Sequence, residues 1–183
     1  MGLGVGGSGR RRKQVRSQTN RSHACRQHGY SMPNSPFGFE GRVIVDGKFV
    51  INPQMEWTGG GFASTAEDLA RWARHLYEGG VLKKGSLDQM LTGVEANEGR
   101  GSGAGNKYGL AVQIRPSEWG VSYGHGGWFP GYRSEMEYFP RQKIAIAVQF
   151  NTDAGRALKK GPRDYIADAM RIIIGELEKK KAA

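Results

Sequence analysis

The chain has 183 residues, of which 38% are hydrophobic, and this length is enough for one domain with a hydrophobic core. Its single cysteine, Cys25, excludes an internal disulfide framework, and no apolar run approaches the roughly 20 residues that span a bilayer. The formal net charge is +10, but seven basic residues precede the first acidic residue, Glu40, so the charge excess belongs to the amino-terminal segment. We therefore predict a soluble chain with no membrane span, no visible signal peptide and no nucleic-acid partner for its folded part.

Residues 1–29 form a basic segment rich in glycine, serine, glutamine and arginine, with almost no large apolar side chain. Such a composition cannot bury enough surface to offset the entropy lost on ordering, so we predict a disordered or foreign tail. His23, Cys25 and His28 are metal-ligand types, but three ligands outside any predicted element favour chance composition, and no metal is expected. Nucleic-acid binding through Arg10 to Lys13 is a weaker alternative to a solvated tail.

From Tyr30 onward the composition changes to that of a folded domain, which we predict to cover residues 30–183. Asp46-Gly47 lies between two β-branched runs and predicts a hairpin over residues 42–51. Residues 95–106 are rich in glycine and polar groups, which indicates a flexible loop.

Two helices are predicted between the hairpin and that loop. Ser64 and Glu67 have the spacing of a capping box, and the helix that they begin is expected to end at Gly79-Gly80. Ser86 is expected to begin a second, short helix.

The rest of the chain predicts an antiparallel sheet and a covering helix. Connections too short for crossover helices separate the strand-like runs, so the strands form a meander. Residues 164–180 carry one apolar stripe, which predicts a carboxy-terminal helix packed on one face of the sheet. The fold class is therefore α+β. The predicted strands are Tyr108–Arg115, Gly120–Gly124, Tyr132–Phe139 and Lys143–Phe150.

His125 is the first candidate for a functional residue. It lies among glycines, which let a ligand approach bare backbone, and imidazole can donate or accept a hydrogen bond near neutral pH. A structural histidine, with glycines that serve only a bulge or turn, is the alternative. No Ser-x-x-Lys or Tyr-x-Asn motif occurs in the chain. Gly120-Val121-Ser122-Tyr123-Gly124 matches Gly-x-Ser-x-Gly, but it lies within a predicted strand and not at the strand-to-helix turn of a nucleophile elbow, so no nucleophile is visible.

Four blocks of the chain together suggest a family. In order, they are Gly59–Arg71, Tyr108-Gly109-Leu110, Tyr123–Gly127 and Pro130-Gly131-Tyr132. These blocks resemble the serine β-lactamase-like family, which includes class C β-lactamases, D-alanyl-D-alanine carboxypeptidases and esterases. The resemblance covers about residues 30–177 and corresponds to the carboxy-terminal portion of that family's domain.

The resemblance implies a partial β-lactamase/transpeptidase-like fold and acyl transfer on small-molecule amide or ester bonds, without a cofactor. It implies that His125-Gly126-Gly127 is the family's third motif, in which His125 orients a carboxylate or polar edge of the substrate. The backbone N–H of Trp128 would be an oxyanion-hole donor. Tyr123, Gly126 and Gly127 are expected to contact the substrate.

The family's first two motifs belong upstream of Tyr30, so we expect a truncated form that is inactive by the usual mechanism. An unpaired sheet edge and an uncovered apolar face are expected, and these favour self-association. The alternative function is a non-catalytic interaction module derived from the family.

Overall fold

The structure is a computed structural model that describes residues 28–60, 62–96 and 103–182. Residues 1–27 of the predicted tail, including two of its candidate metal ligands, His23 and Cys25, lie outside the described residues, as does Gly61 of the first family block. No helix in the described ranges is long and apolar enough to cross a membrane.

The described residues form ten strands, three α-helices and one 3-10 helix, Pro53–Gly59. The helices are α1 (Ala66–Tyr77), α2 (Lys84–Met90) and α3 (Pro162–Ala182). The strands are β1 (Tyr30–Ser31), β2 (Gly41–Arg42), β3 (Ile44–Val45), β4 (Lys48–Phe49), β5 (Val94–Glu95), β6 (Lys107–Tyr108), β7 (Gln113–Ser117), β8 (Gly120–Phe129), β9 (Tyr132–Phe139) and β10 (Ile144–Phe150).

The main sheet has six antiparallel strands in the order β10-β9-β8-β7-β6-β5, which confirms the predicted meander. Each strand of this sheet pairs with the next along the chain, and the connections from β6 to β10 are too short for crossover helices. β8 and β9 are its longest strands, and they pair in a continuous register from Tyr123 opposite Tyr138 to Phe129 opposite Tyr132.

Helices cover both faces of this sheet. Alternate residues of a strand point to opposite faces, so Met136 and Tyr138 pack against α1 whereas Phe139 packs against α3. In α3, the predicted stripe buries Ile166 and Met170 completely, but Leu177 is 45% exposed. The expectation of an uncovered apolar face is therefore wrong for this part of the sheet, because α1 lies on the face that α3 leaves free.

The hairpin turn is formed as predicted. Asp46 and Gly47 both have positive φ angles, 49° and 74°, between the paired strands β3 and β4. That backbone matches the right-handed twist of the strands, and Asp-Gly adopts it readily.

Helix α1 begins one residue later than predicted, because Thr65 is the N-cap. Its hydroxyl accepts a hydrogen bond from the Asp68 N–H at 3.0 Å, whereas the Ser64 hydroxyl donates to the Thr65 carbonyl. Glu67 pairs with Arg71 one turn along the helix instead of completing a capping box. The end is as predicted, with Gly79 at a φ of 83°.

Other predicted boundaries also differ from the structure. α2 begins at Lys84, so Ser86 lies inside it. The predicted strand Tyr108–Arg115 is divided into β6 and β7 by a turn in which Ala111 has a φ of 56° and the Gly109 N–H donates to the Val112 carbonyl. β8 continues to Phe129, so the candidate residues lie within a strand.

Candidate functional site

The second half of β8 has a strand neighbour on one side only. The pairing of β8 with β7 runs from Gly120 to Gly124 and stops there, whereas the pairing with β9 continues to Phe129. Within the described part of the chain, residues 125–128 therefore present an open backbone edge on the side of β7. This edge carries the whole His-Gly-Gly-Trp segment.

The backbone groups on the open side can be inferred from the hairpin that follows. Pro130 and Gly131 form a two-residue connection, so Phe129 and Tyr132 close the hairpin as a hydrogen-bonded pair. Backbone groups alternate in direction along a strand, so those of Trp128 and Gly126 point away from β9. The Trp128 N–H is thus directed to the open edge, as an oxyanion donor would need to be.

His125 forms two hydrogen bonds within the chain. Its Nε2 lies 2.9 Å from the Tyr108 hydroxyl oxygen, and its Nδ1 lies 2.5 Å from the carbonyl oxygen of Gly126. The Tyr108 ring meets the imidazole edge to face, with ring centroids 5.8 Å apart. The histidine is half-buried and held at both nitrogens.

The two glycines after His125 leave space that β9 side chains occupy. A methyl group on Gly126 would lie 2.6 Å from Glu135 Oε2, and one on Gly127 would lie 2.5 Å from Ser134 Oγ. The register is continuous here, so these glycines form no bulge. Their first role in the structure is close packing of β8 against β9.

Tyr123 and Trp128 lie on opposite faces of β8. Tyr123 shares the face of His125 and packs against Tyr77 of α1, with ring centroids 5.6 Å apart. Trp128 is 44% exposed, and the centroid of its ring lies 5.3 Å from that of Phe37. Of the predicted site residues, Trp128 can therefore act beside His125 through its backbone but not through its indole.

Tyr108 is the functional candidate that residue patterns alone missed. It is 17 positions from His125, and β7 lies between their strands. The signal that could have found it is the Tyr108-Gly109-Leu110 block, which supported the family resemblance without being given a role.

A buried charge cluster lies behind the site on the α3 side of the sheet. Arg115 Nη1 donates to Glu135 at 2.7 Å and to Glu137 at 2.6 Å, and Arg163 Nε also donates to Glu137, at 2.8 Å. Burial opposes the charge of Arg115, but the two carboxylates outweigh it and raise the pKa of its guanidinium. The cluster fixes the positions of β7, β9 and α3 relative to one another.

No group of three His, Cys, Asp or Glu side chains within the described ranges could hold a metal ion. A cavity of about 170 Å³ lies between β7 and α3, where Trp119, Phe139 and Arg163 line it. His125 is not among its lining residues, so the candidate site is an open strand edge and not this cavity.

The sequence model of a family described as Beta-lactamase matches residues 2–171, a range that includes most of the predicted tail. No curated protein matches the chain significantly. Among solved structures, the chain is similar to a D-stereospecific amidohydrolase from Streptomyces sp., with 26% identity and a TM-score of 0.56 over 69% of this chain and 35% of that one.

The fold is also that of an octameric penicillin-binding protein homologue from Pyrococcus abyssi, with 23% identity and a TM-score of 0.54. That similarity covers 81% of this chain and 30% of the other. The chain thus spans about a third of the length of these solved proteins.

Proposed function

Because this chain belongs to the beta-lactamase family, we propose that it forms the substrate-binding side of a hydrolase site for small molecules that contain an amide or ester bond. One observation carries the proposal: the open half of β8 places His125 and the Trp128 N–H along one edge that no described strand covers. A flat substrate can pair with such an edge through backbone hydrogen bonds.

The proposed reaction class is acyl transfer, in which a nucleophile attacks the carbonyl carbon and backbone N–H groups stabilise the oxyanion. In this chain, the Trp128 N–H would donate to that oxygen and His125 would orient the substrate. The nucleophile is proposed to lie outside these residues, because the chain contains no Ser-x-x-Lys or Tyr-x-Asn motif. The similar Streptomyces protein is described as a D-stereospecific amidohydrolase, which favours amides with a D-configured carbon as substrates.

Binding can be tested without turnover. We expect D-alanine amide, added to the ¹⁵N-labelled full chain, to shift the backbone amide resonances of residues 125–128 more than L-alanine amide does. His125→Ala should weaken that response, whereas Gln89→Ala, on the exposed surface of α2, should not. Shifts that are absent from residues 125–128, or equal for both enantiomers, would contradict the proposal of a D-selective site.

Turnover is expected to be absent for this chain by the serine mechanism. Incubation with a chromogenic cephalosporin and with a short-chain nitrophenyl ester should release no product above the buffer rate. Mass spectrometry should find no acylated serine. Stoichiometric acylation of one serine would show that the chain contains its own nucleophile.

A second function, self-association through a sheet edge, is favoured by the composition of β10. Among the described strands, β10 pairs with β9 alone, and it contains no charged residue from Ile144 to Phe150. Edge strands of monomers usually carry charges or proline that block further pairing. We propose that β10 pairs with β10 of a second copy, which would make the chain an interaction module.

Light scattering after size-exclusion chromatography tests this second proposal. The wild-type chain should elute as a dimer, and Gln149→Lys should shift it toward the monomer by placing a charge on the edge of each copy. Gln89→Lys adds the same charge on α2 and should leave the dimer intact. A wild-type monomer at high concentration would exclude β10 pairing.

A further inference from the structure

The hydrogen bonds of His125 determine which of its nitrogens carries the proton. The carbonyl oxygen of Gly126 can only accept, so Nδ1, at 2.5 Å, must be the donor. In the neutral imidazole the other nitrogen is then an acceptor. Nε2 therefore accepts the hydrogen bond from the Tyr108 hydroxyl at 2.9 Å.

The turn after Tyr108 holds this residue in place. The Leu110 N–H donates to the Met90 carbonyl at the end of α2, and the Gly109 N–H donates to Val112. A methyl group on Gly109 would lie 2.1 Å from that same Met90 oxygen, so the turn lies directly against α2. The backbone next to Tyr108 is thus fixed by α2 and by the turn that leads into β7, independently of β8.

We propose that Tyr108 is the positioning residue that sets the tautomer and ring orientation of His125, and that its hydroxyl oxygen is the atom through which this pair meets a ligand. Both ring nitrogens of His125 are occupied by groups of the chain itself. The single proton of the Tyr108 hydroxyl is donated to Nε2, so the lone pairs that remain on the oxygen can only accept.

The chemistry of the ligand follows from this arrangement and rests on the proposed function. An acceptor at the site matches an N–H donor, such as an amide N–H or an ammonium group. It does not match a carboxylate, which would place two acceptors in contact. The neutral Tyr108–His125 pair therefore selects the nitrogen-bearing end of a substrate, whereas the family resemblance alone allows a carboxylate.

Long-range ¹H–¹⁵N correlation of the histidine side chains tests the positioning role in the free protein at mildly alkaline pH. His125 should be in the Nδ1–H form in the wild-type chain, with its signals assigned by their loss in His125→Gln. Tyr108→Phe keeps the ring but removes the donor, so it should shift the Nε2 resonance and mix the tautomers. Tyr165→Phe, a half-buried tyrosine on α3, is the matched control and should change nothing at His125.

An Nε2–H form in the wild-type chain would overturn the positioning role, even if Tyr108→Phe fails to fold. An unchanged His125 spectrum in a folded Tyr108→Phe variant would overturn it as well.

A second experiment tests the ligand preference by comparing the binding of D-alanine amide with that of propionate, which has a carboxylate and no N–H group. D-alanine amide should bind the wild-type chain, and Tyr108→Phe should weaken its binding about threefold to tenfold. Propionate should leave the His125 signals unchanged. If propionate binds more strongly than D-alanine amide, the proposed selectivity is wrong. If neither compound binds while His125 is still in the Nδ1–H form, the result counts against the proposed function alone.

Discussion

Gly124 occupies a position in β8 where the neighbouring strand leaves no room for a side chain. A methyl group there would lie 1.9 Å from the backbone carbonyl oxygen of Met136, and a strand backbone cannot move aside as a side-chain tip can. We expect Gly124→Ala to lower the free energy of unfolding by about 3 kcal/mol or more. Denaturant unfolding followed by circular dichroism measures this loss.

Gly175 provides the matched control, because the same methyl group would meet nothing within 4 Å on α3. Gly175→Ala should raise stability by about 0.5–1 kcal/mol, since glycine within a helix is costly relative to alanine. If Gly124→Ala changes the free energy of unfolding by no more than about 1 kcal/mol, the size expected at Gly175, then β8 and β9 are less closely packed than in the structure.

At single residues, local signals were predictable and long-range contacts were not. The turn predicted at Asp46-Gly47 was correct, because this pair of residue types directly favours the turn conformation. The cap was misplaced by one position, since Ser64 and Thr65 are both good capping residues and only the contact with Asp68 distinguishes them. The contact between Tyr108 and His125 depends on how three strands are arranged, which no local pattern encodes.

At the scale of elements, the Arg115 side chain connects β7 to β9 on the α3 side of the sheet. Its side chain is 7% exposed, and it is the cation that contacts both Glu135 and Glu137. Removing it leaves buried carboxylates without that partner, so Arg115→Met should cost about 3–5 kcal/mol in denaturant unfolding.

The exposed pair of Arg71 and Glu67 on α1 is the comparison, with side chains 73% and 71% exposed. Arg71→Met should change stability by no more than about 0.5 kcal/mol, because water screens this pair. Equal effects of the two substitutions would contradict a structural role for the buried cluster.

Elements with a strong period of apolar residues were predictable from the sequence. Elements whose ends depend on an unusual backbone conformation were not. The meander and α3 followed from alternation and from one apolar stripe. The division of Tyr108–Arg115 into β6 and β7 depends on a positive φ at Ala111, a residue type that gives no sign of it. That division leaves the second half of β8 without a partner on the side of β7. The turn that exposes the candidate site was therefore not predictable from the sequence.

At the scale of the whole molecule, the packing of α1 on one face of the sheet buries two tyrosines, Tyr77 and Tyr138. Tyr77 stacks on Tyr138 with ring centroids 5.8 Å apart, and each residue is less than 10% exposed. Burial raises the pKa of Tyr77 to about 12. Burial, together with the hydrogen bond to Glu78, raises the pKa of Tyr138 to about 12 as well.

These shifts predict a loss of stability in alkali. Below about pH 10 tyrosine is neutral in both states, and the raised pKa changes nothing. Between about pH 10 and 12 the unfolded chain loses the Tyr77 proton while the folded chain keeps it, so stability falls as pH rises. Tyr77 alone should account for about 1 kcal/mol at about pH 11.

Tyr77→Phe isolates this contribution, because phenylalanine keeps the stacked ring and cannot ionise. Its free energy of unfolding should lie close to that of the wild-type chain near neutral pH and decline less steeply from about pH 10 to 12. Urea unfolding at a series of pH values measures both slopes, and the neutral values show whether the packing is intact. Parallel slopes would mean that water reaches the Tyr77 hydroxyl, and thus that α1 does not seal this face of the sheet.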